Sequence, residues 1–137
     1  MSFLLLWLYA WVAGLVAQNA PSADTLLMRA TQQGTPLVDL IEGDRRYVLV
    51  TFLWRGSAET KNIAVIGTFL KAPPVAMTRI GDSDVWYVTA RVPVGARFTY
   101  WLAENTPMVS EGPQVGAMLA ALQADPLNPH RTCPADA

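Results

Sequence analysis

Covalent catalysis needs an activated nucleophile, and this sequence offers few side chains that fit the role. A hydrolase nucleophile elbow reads Gly-x-Ser-x-Gly, because its tight strand-to-helix turn crowds any larger residue. Gly81-Asp82-Ser83-Asp84-Val85 reproduces only the first half and stands between two strand-like runs rather than before a helix. Ser57 and Ser110 also lack the pattern. His130 is the single histidine, three residues before the single cysteine, Cys133, in a tail with no evident packing to fix a Cys–His geometry. Asp82 and Asp84 fit a polar turn better than a paired acid and base. There is no phosphate-cradling loop, and no carboxylate cluster has metal-site spacing. One His excludes a His-based zinc site, and one Cys excludes an intrachain disulfide. The expectation is no catalytic residue and no metal ligand.

Aromatic side chains carry what chemistry remains. Trp54, Trp86, Tyr87, Tyr100 and Trp101 all fall on strand-like runs, where packing in a sandwich core is the default role. Successive strand residues point to opposite faces. Of Tyr100 and Trp101, at least one must therefore lie outside an inter-sheet core, and the same holds for Trp86 and Tyr87. An outward aromatic beside Arg55, Arg79 or Arg97 would form a platform for a flat anionic ligand, held by stacking and cation–π attraction. Trp54, Arg55, Arg79 and Trp86 are the side chains picked for such contact, with Trp86 equally suited to the core.

The elements that must position these residues follow from the rest of the chain. Its 137 residues are the length of one domain. With 52% hydrophobic and 15% charged residues, it is too apolar to be disordered. A net charge of -1 without a basic run argues against nucleic-acid binding. No formal charge precedes Asp24. Phe3–Ala17 is an unbroken apolar run, short of the ~20 residues that span a bilayer. It fits the hydrophobic region of a signal peptide, so 1–20 is expected to direct export to the periplasm, with no stable membrane span. An uncleaved anchor and a misassigned start are the alternatives; without a working signal the chain would be cytoplasmic.

Residues 21–35 read as a helical lead-in. Ser22 or Asp24 would cap it, Leu26, Leu27 and Ala30 form its apolar side, and Gly34 with Pro36 stops it near Gln33. Residues 36–112 read as a sandwich of about six short strands. The strand-like runs are Leu37–Ile41, Arg46–Trp54, Asn62–Ile66, Val75–Ile80, Val85–Val92 and Arg97–Glu104, with a turn at Gly81-Asp82-Ser83-Asp84. Arg46–Trp54 is apolar on both alternating faces, which predicts a central strand buried on two sides. In 113–124, Val115, Met118, Leu119 and Leu122 form a helical stripe. Residues 125–137 are Pro-rich and read as a linker. The fold class is all-β, a sandwich with short flanking helices.

Four segments occur in order: Gly34-Thr35-Pro36-Leu37-Val38, Val50-Thr51-Phe52-Leu53-Trp54-Arg55, Gly81-Asp82-Ser83-Asp84-Val85-Trp86 and Ala124-Asp125-Pro126-Leu127-Asn128-Pro129. Together they resemble the N-terminal domain of the enterochelin (enterobactin) esterase family, over about Arg29 to Pro129. The resemblance implies an immunoglobulin-like sandwich of the early-set type. It implies a domain that precedes an α/β-hydrolase, which cleaves the ester backbone of ferric catecholate siderophores and releases iron. The last segment resembles the joint into that hydrolase. The family's serine, histidine and acid would lie beyond it, so none carries over and the chain alone is expected to be inactive.

Several roles remain open at this point. One is a binding module contacting a ferric catecholate siderophore through Trp54, Arg55, Arg79 and Trp86, with an α/β-hydrolase chain or domain as partner. Iron would then arrive only as ferric siderophore, with no cofactor bound directly. The others are one piece of a split or truncated esterase, a carbohydrate-binding early-set module, and a structural remnant with an exposed apolar edge.

Overall fold

The structure, a computed structural model, describes residues 21–68, 74–109 and 111–130. The predicted signal segment 1–20, Ser110 and Cys133 lie outside the described residues. Helix α1 (Ala23–Gln33) precedes strands β1 (Leu37–Ile41), β2 (Asp44–Arg55), β3 (Ile63–Gly67), β4 (Val75–Ala76), β5 (Thr78–Arg79), β6 (Val85–Pro93) and β7 (Tyr100–Glu104). Helix α2 (Val115–Ala120) and strand β8 (Leu122–Gln123) follow. The strands form two antiparallel four-stranded sheets, ordered β1-β2-β6-β5 and β4-β3-β7-β8. This is the all-β sandwich with short helices that the strand periodicity predicts.

Strand β2 organises the first sheet because both of its faces are apolar. Its even-numbered residues Val50 and Phe52 meet Ile63, Val65 and Leu102 of the second sheet, joined by Trp86 and Val92 of β6. Phe52 is wholly buried and stacks edge-on against Tyr100, with ring centroids 4.8 Å apart. Side chains of this size each contribute about 1.5–3 kcal/mol when removed from water. On the other face, Leu53 and Val85 pack beneath Leu26 and Ala30 of α1, together with Leu37. Arg29 on α1 ties the helix to β1 through a 2.7 Å ion pair with Asp39. The two-sided burial expected of this strand therefore has two causes, a facing sheet and a covering helix.

Helix α1 ends at Gly34, which has φ +76°. A side chain there would be strained by that backbone and would also collide, since a Cβ would lie 2.7 Å from Cδ of Pro129. Ser22 is the N-cap residue, one of the two expected, and its carbonyl accepts from Leu26 N–H, but its side chain makes no capping hydrogen bond.

Three elements differ from the sequence reading. Val75–Ile80 is not one strand. Ala76 pairs with Ala64 in the second sheet, and Thr78 pairs with Tyr87 in the first. Met77, only 5% exposed, is the crossing point between the sheets. The helix expected over 113–124 covers only Val115–Ala120. A single turn and a half gains little from cooperativity, and Leu122 leaves it to pair with Ala103. Of the stripe, Met118 is buried and Leu119 is exposed. The strand expected from Arg97 begins at Tyr100.

Candidate functional site

The four residues picked from the sequence gather at one end of the first sheet. Trp54 lies directly opposite Trp86, and Trp86 opposite Arg79. Arg55 lies opposite Val85. Trp86 is 9% exposed and belongs to the inter-sheet core, and Trp54 packs against the same cluster. The buried Trp54 Nε1–H has no partner among the described residues. Arg55 donates through Nε to Asp84 at 3.0 Å. That guanidinium holds the Asp84 carboxyl below the usual carboxylate range. Arg79 donates to the carbonyls of Ser83 and Asp82. The Ser83 hydroxyl donates to Ile80 O and accepts from Val85 N–H, so it closes the turn. Each polar group here has a structural partner, apart from the Trp54 indole.

A larger concavity lies elsewhere. A groove of about 790 Å³ opens beside edge strands β1 and β8. It is lined by four stretches of chain: Gln33 to Val38, Ala96 to Trp101, Leu122 to Asp125, and Asn128 to His130. Strand alternation places Tyr100 inward against Phe52 and leaves Trp101 39% exposed. Arg97 stands on the groove wall without a hydrogen-bond or ion-pair partner among the described residues. Trp101 and Arg97 both line this groove.

The groove floor is a buried polar node. Asp125, 3% exposed, accepts from the Thr35 hydroxyl at 2.6 Å and the Tyr100 hydroxyl at 2.7 Å. Its other oxygen accepts from Leu127 N–H at 2.9 Å. Asn128 Nδ2 donates to the Tyr100 oxygen, and Thr35 N–H donates to Leu127 O. Burial pushes the Tyr100 phenol far above its ordinary ionisation range, and the Asp125 carboxylate adds to the shift. Within the segment expected to be a linker, Asp125, Leu127 and Asn128 are therefore tied into the fold, while Pro129 and His130 are exposed. Asp125 emerged only as part of the segment Ala124–Pro129; nothing local in the sequence marked it as a three-donor acceptor.

No group of His, Cys, Asp and Glu among the described residues could hold a metal ion. Nor does any described serine show the partners of an activated nucleophile. The groove presents an aromatic face, a guanidinium without a partner among the described residues, amides and an internally satisfied carboxylate.

Comparison with known proteins bears on this arrangement. Residues 49–136 match the family described as enterochelin esterase, N-terminal. The enterobactin esterase of Shigella flexneri, in the presence of 2,3-di-hydroxy-N-benzoyl-glycine, is 26% identical with a TM-score of 0.56, covering 72% of this chain and 30% of that one. The same esterase in the presence of 2,3-di-hydroxy-N-benzoyl-serine is 24% identical with a TM-score of 0.60, covering 79% of this chain and 30% of that one. The ferric enterobactin esterase of Salmonella typhimurium is 20% identical with a TM-score of 0.58, covering 79% and 32%. No curated protein matches the chain. The chain spans about 30% of the length of these esterases. The family match covers more than half of the chain, from the middle of β2 through β8, so the chain belongs to the enterochelin esterase N-terminal domain family.

Proposed function

We propose that this chain is a non-catalytic binding module for a ferric catecholate siderophore, acting with an α/β-hydrolase domain or chain that cleaves the ligand and frees the iron. The observation that carries the reading is that exposed Trp101 and Arg97, which has no partner among the described residues, line one open groove. Catecholate rings are flat and anionic, so an indole face and a guanidinium meet both properties. Asp125 does not oppose such a ligand strongly, because three internal donors already neighbour its carboxylate. Iron comes as cargo inside the siderophore, and no directly bound cofactor is part of this reading. Family membership supports the siderophore as ligand class, and the esterase structures it resembles name enterobactin, 2,3-di-hydroxy-N-benzoyl-serine and 2,3-di-hydroxy-N-benzoyl-glycine. The apolar run Phe3–Ala17 supports action in the periplasm. Arg55 and Arg79 remain secondary contacts, since their charges are exposed although partnered.

Isothermal calorimetry with a ferric catecholate trilactone tests the reading. Saturable heat is expected, and Arg97→Gln or Trp101→Ala should weaken binding by about tenfold, the scale of one charge-assisted or stacking contact. Silence would sink ligand binding by this chain. Continuous turnover heat would sink the non-catalytic assignment.

A second reading has its own support: Gln33, Gln123 and Asn128 line the same groove beside Trp101, an amide-and-indole set that suits a sugar. Retention on a polysaccharide gel, lost in Trp101→Ala, would favour it.

A further inference from the structure

Strand β1 is the outermost strand of its sheet, and its free edge has no strand partner among the described residues. Natural edge strands are commonly blunted by lysine, proline, a bulge or a covering loop. The residues of β1, Leu-Val-Asp-Leu-Ile, contain neither lysine nor proline, and the register breaks only between Leu40 and Ile41. Val38 lies opposite Val50 and Leu40 opposite Val48, so both point to the face that looks toward the second sheet. The second sheet does not cover them: Val38 is 56% exposed and Leu40 is 87% exposed. On the opposite face Asp39 is already held by Arg29 at 2.7 Å.

We infer that this edge is an interface for a second copy of the chain, the two β1 strands pairing antiparallel about a two-fold axis through Asp39. The register follows from self-complementarity. With Asp39 opposite its equivalent, Val38 of each copy faces Leu40 of the other, and both exposed apolar pairs are covered on one face. Like carboxylates directly opposite each other would repel. Here each brings its own guanidinium, so the contact on that face is two carboxylates flanked by two cations. A second copy is the one partner sure to present a matching edge with the same charge arrangement, which is the condition for an isologous contact. Five residues of strand make a small interface, so the association is weak, with a dissociation constant on the order of 100 μM. Arg97 and Trp101 lie outside it, and only Val38 is shared with the groove wall.

Sedimentation equilibrium of the full chain under reducing conditions tests this directly. The wild type is expected to pass from monomer to dimer over the high-micromolar range. Leu40→Lys should weaken that step by about tenfold, by placing charges at the apolar contact. Its urea midpoint should stay unchanged, since Leu40 is exposed in the monomer. As a second readout, β1 amides should exchange more slowly with deuterium at high protein concentration, an effect absent in Leu40→Lys. A chain that stays monomeric, assembles beyond a dimer, or associates equally well with Leu40→Lys would overturn the proposal.

Discussion

Asp125 accepts three hydrogen bonds from the protein and faces no cation among the described residues. Its removal should be costly for that reason. Asp125→Ala leaves the Thr35 and Tyr100 hydroxyls without their acceptor in a buried place, at about 1–3 kcal/mol per orphaned group. A loss of about 3 kcal/mol is expected from the shift in urea midpoint; a loss under about 1 kcal/mol would mean that water replaces the carboxylate. The same node sets an alkaline limit. Burial, and next the Asp125 carboxylate, raises the Tyr100 ionisation above its value in the unfolded chain. The neutral phenol is therefore the form the fold favours, and its contribution is complete below the unfolded value of about 10. As pH rises past that point the unfolded chain releases its proton while the folded chain does not, and stability falls. Urea midpoints taken from pH 8 to 11 should decline above pH 10, and Tyr100→Phe should remove part of the slope. A parallel decline in the variant would assign the effect to other groups. Both hydroxyl-bearing residues of the node were visible in the sequence, yet their meeting with Asp125 was not, because no local pattern marks a contact across 90 residues.

Element by element, legibility tracked the length of each periodic run. Strand β2 shows its two apolar faces from Tyr47 to Trp54, and both are used as the alternation demands. Strand β6 alternates over nine residues, which correctly separates Trp86 in the core from Tyr87 under the helix. The two-residue strands β4, β5 and β8 have no period to read, since alternation needs about four residues before it differs from chance. The stripe over Val115–Leu122 was helical by spacing, but Leu122 gains more by pairing with Ala103 than by extending six helical residues. The core placement of Trp86 makes a measurable claim. Trp86→Ala should cost about 3–5 kcal/mol of stability, the range for a truncated core aromatic, read by thermal or urea unfolding. A cost near zero would return Trp86 to the surface and revive it as a ligand platform.

Across the whole molecule, the four segments that carry the family resemblance meet in pairs. The first and last join through Thr35 and Asp125, with Gly34 against Pro129. The second and third join through Trp54 opposite Trp86 and the Arg55–Asp84 ion pair. The family pattern in the sequence is thus largely a record of contacts, and the four chosen binding residues are also tied into structure, Trp54 and Trp86 by packing and Arg55 and Arg79 by hydrogen bonds. The groove was harder to see because its lining comes from four separated stretches. Arg97 and the Tyr100–Trp101 pair were its one legible trace. The length of the first junction has a consequence for synthesis. A ribosome delivers α1 and Thr35 ninety residues ahead of the carboxylate that locks them. Until Asp125 clears the exit tunnel, the growing chain holds its helix by packing and the Arg29–Asp39 ion pair, without the lock that closes the groove floor.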